Sequence, residues 1–298
     1  MGTEELAFPE VVYHYTTMDA LLNIIDKRQL WATNSRYLND ESENRLFIEA
    51  VQGRLHVCVP GYADLVGNHL SNVYKRMVDL PFITSFTEIG DSLTHWRSYC
   101  PDGNGVSIGF NVACLLNAEA NHEPEISFQL EAGTMRATAD FGQIRYLDPS
   151  HHPTIDEAIH AAVTDSKAFV ESNGYDMAMF PNELAFRIFW QAPFYKDHSF
   201  LNEREFRLQI NSIRWRQDLL RFRTTRSTLV PYVLVTIPRS DRVKPKLGLS
   251  SDAWNAIDSI TIGPTPNKEL SIQAVEAFCE TRGICPIVKG SAIPYRDW

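Results

Sequence analysis

Residues Tyr13 to Thr33 read YHYTTMDALLNIIDKRQLWAT. Val11 to Thr16 is apolar, aromatic and β-branched, which is strand composition. Thr16 or Thr17 then offers a hydroxyl that can cap a helix. Leu21, Leu22, Ile24 and Ile25 give that helix an apolar face. Leu30 to Thr33 is short and extended again. A lone histidine after a strand, such as His14, is most often a structural hydrogen-bonder.

Downstream, Asn39-Asp40 forms a turn and a helix cap, and Glu41 and Glu43 suit a first turn. Helices are expected at about 41–56 and 62–79, broken at Pro60-Gly61. Leu80 to Phe86 reads as a strand, and Asp91 as the cap of a short helix through Trp96 and Tyr99. Val106 to Phe110 and Phe141 to Leu147 read as strands, and 154–171 and 178–191 as helices. Glu203 to Ile210 alternates charged and apolar residues, the pattern of a half-buried strand. Leu229 to Ile237 and Ile257 to Ile262 are strands, and Asn267 to Thr281 is a helix. Strands and helices do not alternate regularly, and neither GxGxxG nor GxxxxGK[ST] occurs. A doubly wound dinucleotide fold is therefore not supported, and the class is α+β. No linker marks a boundary. The expectation is one domain over 1–298, with a helical insertion at about 111–193.

The chain has 298 residues, 44% of them hydrophobic and 22% charged. That length can bury a core without disulfides or metal. Five cysteines, with no CxxC pair, point to a reducing, cytoplasmic setting. The N-terminus is acidic and has no apolar leader, and no apolar run reaches membrane-spanning length. The net charge of −9 argues against a whole-surface nucleic-acid binder. Arg214, Arg216, Arg221, Arg223 and Arg226 are a local exception, which reads either as a phosphate site or as a solvated loop. His151-His152-Pro153 and His160 lack the spacing of metal ligands, and no GxSxG elbow occurs, so neither a metal centre nor a triad hydrolase is expected.

Three constellations can carry chemistry. The first is Tyr13-His14-Tyr15-Thr16 with the helix behind it. The second is Phe82 to Thr87 followed by Asp91, Ser92, Trp96 and Tyr99, an aromatic and small-polar cluster suited to stacking a flat cationic ring. The third is Asn202-Glu203-Arg204-Glu205-Phe206-Arg207-Leu208. On a strand, Glu203, Glu205 and Arg207 share one face. Two carboxylates on one face raise each other's pKa unless a cation compensates, as Arg207 could. A salt-bridged, solvent-facing strand is the plainer alternative.

In order, these constellations resemble the three motifs of ADP-ribosyltransferases of the diphtheria-toxin and poly(ADP-ribose) polymerase type. The resemblance implies a split mixed β-sheet core with helical insertions. It implies NAD as substrate, with His14 on the adenosine ribose and Tyr15 where the family commonly has glycine. Thr16, Phe86, Ser92 and Tyr99 would lie around the cofactor. Glu205 would be the catalytic carboxylate and Glu203 its auxiliary.

The whole chain also resembles a bacterial family of unknown function. The shared features are a YHYT start, LxAT…LND, FTE…WRSY, YK…ExExR, an IGP turn and a final SxIPYR. Within that frame Lys196, Arg207, Arg223 and Arg296 are candidate cofactor-binding cations, because basic side chains match pyrophosphate.

The expected function is an NAD-dependent ADP-ribosyltransferase, as a toxin or phage-defence effector, with a protein or nucleic-acid acceptor and an antitoxin or regulatory partner. The alternatives are a non-catalytic nucleotide-sensing module, an NAD glycohydrolase or a nucleic-acid-processing enzyme.

Overall fold

Strand β1 (Val11–Thr17) runs directly into helix α1 (Met18–Lys27), where the Thr17 hydroxyl accepts the Ala20 amide at 3.3 Å. Leu21, Ile24 and Ile25 are buried, whereas Leu22 is exposed. The helix ends at Arg28, whose φ of 55° turns the chain into β2 (Gln29–Asn34). The computed structural model describes residues 8–38, 45–73, 80–100, 103–120, 127–130, 133–136, 139–148, 152–210, 219–225, 227–237 and 256–295. The Asn39-Asp40 turn, Glu41, Glu43, His151, Arg214, Arg216, Arg226 and Arg296 lie outside these residues.

Helices α2 (Arg45–Cys58) and α3 (Ala63–Val73) precede β3 (Phe82–Thr87), α4 (Leu93–Tyr99) and β4 (Gly105–Asn111). The chain continues through α5 (Val112–Ala120), the hairpin of β5 (Ser127–Leu130) and β6 (Gly133–Arg136), β7 (Ala139–Gln143) and β8 (Arg145–Leu147). Then come α6 (His152–Ser172), α7 (Phe180–Gln191), β9 (Tyr195–Asp197) and β10 (Glu205–Ile210). The last elements are β11 (Arg221–Thr224), β12 (Leu229–Thr236), β13 (Ile257–Ile262), α8 (Lys268–Thr281) and β14 (Ile287–Gly290).

The fold is mixed α/β, built on a ten-stranded sheet with a parallel pair at β13 and β14. Strand β3 is its hinge line. Along one edge β10 pairs with it over its full length, from Glu205 opposite Thr87 to Ile210 opposite Phe82. The other edge is shared. Strand β2 meets it at Phe82 and Ile83, and β1 meets it at Thr87. The sheet therefore forks. One wing is β1, β4, β13 and β14, and the other is β2, β12 and β11.

Two apolar cores hold this arrangement. The first lies under the sheet, with Val12, Leu30, Ile108, Leu208 and Ile260 among its members. The second joins α2, α3, α6 and α7 through Phe47, Leu70, Ile159 and Leu184. The segment 111–193 is thus not purely helical, since it also supplies β7, which pairs with the outer edge of β10. Its helices α6 and α7 share their core with α2 and α3, whereas α5 packs into the first core through Val112, Cys114 and Leu115. No helix among the described residues is long and apolar enough to cross a membrane.

Two local expectations are corrected. Strand β10 is buried on both faces: Phe206, Leu208 and Ile210 pack into the first core, and on the other face Arg207 and Gln209 bond the Pro193 and Trp190 carbonyls while Lys196 and Arg207 neutralise Glu205. Asp91 does not cap α4. The cap position is Ser92, and the Asp91 carboxylate instead accepts from Trp96 Nε1 (2.7 Å), Ser291 Oγ (2.6 Å) and the Ala292 amide (2.9 Å).

Candidate active site at the sheet fork

At Ser85, in the gap between β1 and β2, the carbonyl accepts from a side chain: His14 Nδ1 lies 2.9 Å away. A carbonyl can only accept, so Nδ1 carries the proton and Nε2 keeps its lone pair. Burial lowers the His14 pKa, and the Ser85 hydrogen bond opposes this only partly, so the ring is neutral near pH 7.

The fork opens into a cavity of about 870 Å³. Of the predicted residues, His14, Tyr15, Thr16, Phe86, Tyr99, Lys196, Glu203, Glu205, Arg207 and Arg223 all line it. They come from β1, β3, α4, β9, β10 and β11 and the turn before β10. Ser92 is not among the lining residues; its amide donates to the Tyr15 hydroxyl at 2.9 Å. That hydroxyl donates in turn to the Ile89 carbonyl at 2.9 Å, so Tyr15 ties β1 to the turn after β3. Burial raises its pKa, and it stays protonated.

The charged floor is a four-membered cluster. Glu203 is not on the strand, as the alternation suggests, but ends a 3₁₀ turn over His198–Glu203. Arg204, with φ 44°, reverses the chain before β10 begins at Glu205. The two carboxylates meet through Lys196, whose Nζ lies 2.8 Å from Glu203 Oε2 and 3.1 Å from Glu205 Oε2. Arg207 donates from Nε to Glu205 Oε1 (2.7 Å), from Nη2 to Oε2 (3.1 Å) and from Nη1 to the Pro193 carbonyl (2.7 Å). The Glu205 amide donates to the Tyr146 hydroxyl at 2.9 Å. Burial by itself would raise the Glu205 pKa. The charges of Arg207 and Lys196, with hydrogen bonds from Arg207 and Ser85, outweigh it and hold the carboxyl at about 2. Burial raises the Tyr146 hydroxyl to about 12.

The wall opposite is aromatic. His95 stacks on Tyr15, with centroids 4.8 Å apart, and is tilted toward Tyr99 at 5.9 Å. Burial lowers its pKa, against the raising effects of the Glu203 charge and of the Glu203 carbonyl that accepts from the ring. Phe86 is almost wholly buried, with edges to Phe110 and Phe141 and a tilted contact to His14 at 5.7 Å. It serves the core and the cavity floor at once. At the far side Arg223 reaches across β12 and donates from Nη2 to Thr33 Oγ1 at 3.1 Å. Burial lowers its pKa, and the neighbouring Tyr232 opposes this.

His95, Ser85, Tyr146 and Trp31 were not legible as site residues. His95 stands alone in a short helix without a hydrogen-bond partner nearby in sequence, and Ser85 acts through its carbonyl on His14 and its side chain on Glu205. Tyr146 comes from a strand distant in sequence, and Trp31 shows only as part of a short extended stretch. Among the described residues no cluster of three or more His, Cys, Asp or Glu side chains is placed to hold a metal ion.

No curated protein and no solved structure matches the chain. Residues 95–208, from His95 to Leu208 on β10, match the family model described as "Protein of unknown function (DUF2971)". The matched segment contains His95, Tyr99, Lys196, Glu203, Glu205 and Arg207, so over the acidic half of the cavity the chain is similar to that family of unknown function.

Proposed function

We propose that the chain is an NAD-dependent ADP-ribosyltransferase. The observation that supports this reading is the meeting of His14, Tyr99 and Glu205 on one cavity wide enough for a dinucleotide. These residues belong to β1, α4 and β10, and nothing but the fold brings them together. In the proposed reaction the bond between nicotinamide nitrogen and ribose C1′ breaks. Its electron pair leaves with neutral nicotinamide, and C1′ becomes an oxocarbenium ion. A lone pair of the acceptor then bonds to C1′ and the acceptor loses its proton. Glu205, held as an anion, supplies fixed negative charge beside that cation. Glu203 is the auxiliary carboxylate that orients the acceptor. His14 Nε2 accepts from a ribose hydroxyl, the Tyr15–His95–Tyr99 wall stacks the nicotinamide, and Arg223 and Lys196 face the pyrophosphate. If water is the acceptor, the same chemistry is NAD glycohydrolysis.

One observation favours a second reading, a nucleotide-binding module without chemistry. The Glu205 carboxylate is already held by two buried cations, Arg207 and Lys196, which offset the negative charge that an oxocarbenium ion would need.

The test is nicotinamide release from NAD with cell lysate as the source of acceptor, read by mass spectrometry. Release that is lost in Glu205→Gln is the expected result. Calorimetric NAD binding without any release would select the module instead, and release by a folded Glu205→Gln protein would sink the assignment. A toxin or phage-defence role predicts that expressing the wild-type chain, but not Glu205→Gln, lowers cellular NAD and stops growth.

A further inference from the structure

The wing β2–β12–β11 turns Leu30, Ala32, Val233 and Val235 toward the first core. Strand alternation puts Trp31, Thr33, Tyr232, Arg221 and Arg223 on its other face. A solvated face of an antiparallel sheet ordinarily carries polar side chains. This one carries two aromatic rings stacked at 4.5 Å and 25°, and Trp31 keeps 40% of its surface exposed. The Arg223 guanidinium lies 5.6 Å from the Trp31 ring centre, and Arg221, opposite Tyr232, is exposed. None of the three strands contains an acidic residue, in a chain whose net charge is −9. Trp31, Thr33 and Arg223 also line the cavity, so the face opens directly into it.

An exposed aromatic ring stacks on any nucleobase, and flanking arginines hold the phosphates between bases. We propose that this face is a platform for single-stranded nucleic acid, with a base stacked on Trp31 and a phosphate on the exposed Arg221. A duplex hides the faces of its bases and cannot use such a platform. The binding stands on this face alone. Its consequence, that the strand is the acceptor of ADP-ribose, rests on the transferase reading.

The test uses the full chain without NAD. Fluorescein-labelled single-stranded DNA and RNA of about a dozen nucleotides, and the corresponding duplex, are titrated by fluorescence anisotropy over a salt series. The platform predicts salt-dependent binding of a single strand, tighter than that of the duplex. Trp31→Ala should weaken it about tenfold or more, and Trp31→Phe should retain most of it. Arg221→Ala should lower the slope of log affinity against log salt by about 0.7. No binding of either single strand at low salt, equal binding of duplex, or unchanged affinity in a Trp31→Ala protein of native circular dichroism would overturn it. Should Trp31→Ala unfold, the Arg221→Ala slope decides. Nicotinamide release without oligonucleotide binding removes the platform and leaves the transferase, and binding without release does the reverse.

Discussion

Arg207 is only 1% exposed, and its guanidinium donates to the Glu205 carboxylate and to the Pro193 carbonyl. Removing one partner of a buried pair leaves an uncompensated charge, so Arg207→Ala should cost about 3–5 kcal/mol in urea unfolding. Glu205→Gln keeps the shape and an acceptor for Arg207, and should cost less while abolishing nicotinamide release. The titration of the site follows from the same contacts. Glu205 sits at about 2, below its ordinary 4.5, so the stability it contributes is present above 4.5 and is lost as pH falls toward 2. His14 and His95 are also lowered, from 6.5, so the unfolded chain takes up their protons first and stability falls as pH drops below 6.5. Urea midpoints should therefore be highest above pH 6.5, decline below it and decline again below 4.5. His95→Gln should flatten the first decline and Glu205→Gln the second; a midpoint that rises between 6.5 and 4.5 would contradict the histidine assignments, and one that stays level below 4.5 would contradict that of Glu205.

At the scale of elements, the site depends on how α4 is anchored. Asp91 binds Trp96 in α4 and Ser291 and Ala292 after β14, which joins two segments some two hundred residues apart. Hydrogen bonds to a charged group are worth about 1.5–3 kcal/mol, so Asp91→Ala should destabilise the chain by that order and weaken NAD binding through the shift of His95 and Tyr99. The IGP turn acts on the same helix. A Cβ at Gly263 would meet the Gly105 carbonyl at 3.0 Å and the Trp96 ring at 3.1 Å. Gly263→Ala should cost about 1–3 kcal/mol by overpacking, seen as a lower melting temperature. The strand–helix–strand unit at Tyr13–Thr33 was legible, because periodicity and the Thr17 cap are local properties. The Asp91 cap was misread, because an acid before a helix looks the same whether it bonds the helix or a distant serine. The short strands β9, β11 and β14 gave no signal, since three or four residues are too few for a period to show.

At the scale of the molecule, the two cores meet at β9. Tyr195 belongs to the helical core, where its ring stacks on Phe47 at 4.0 Å and 10°, while the next residue, Lys196, holds Glu203 and Glu205. The helical cluster thus sets the position of a cavity residue. Phe47→Ala, buried and not among the cavity-lining residues, should cost about 3–5 kcal/mol and also alter NAD affinity or turnover. Destabilisation with unchanged NAD kinetics in the remaining folded protein would show that β9 holds Lys196 by itself. Arg54 and Asp156, paired at 2.7 and 2.6 Å, tie α2 to α6 within that cluster.

By itself the sequence determined that the chain combines helices with strands and is not doubly wound, most long strands and helices, and the residue types from which a cavity of this polarity is built. These depend on side-chain periodicity, capping and turn chemistry over a few neighbouring residues. Only the tertiary structure decided that β1 and β2 share one edge of β3 and leave a fork between them. It also decided that Glu203 and Glu205 meet through Lys196, that β10 is buried on both faces, and that Trp31 lies on an open face beside Arg223. Each of these is a pairing between segments far apart in the chain. Such pairings are set by which buried faces and charges can be satisfied together, and that balance is not written in any one stretch of residues.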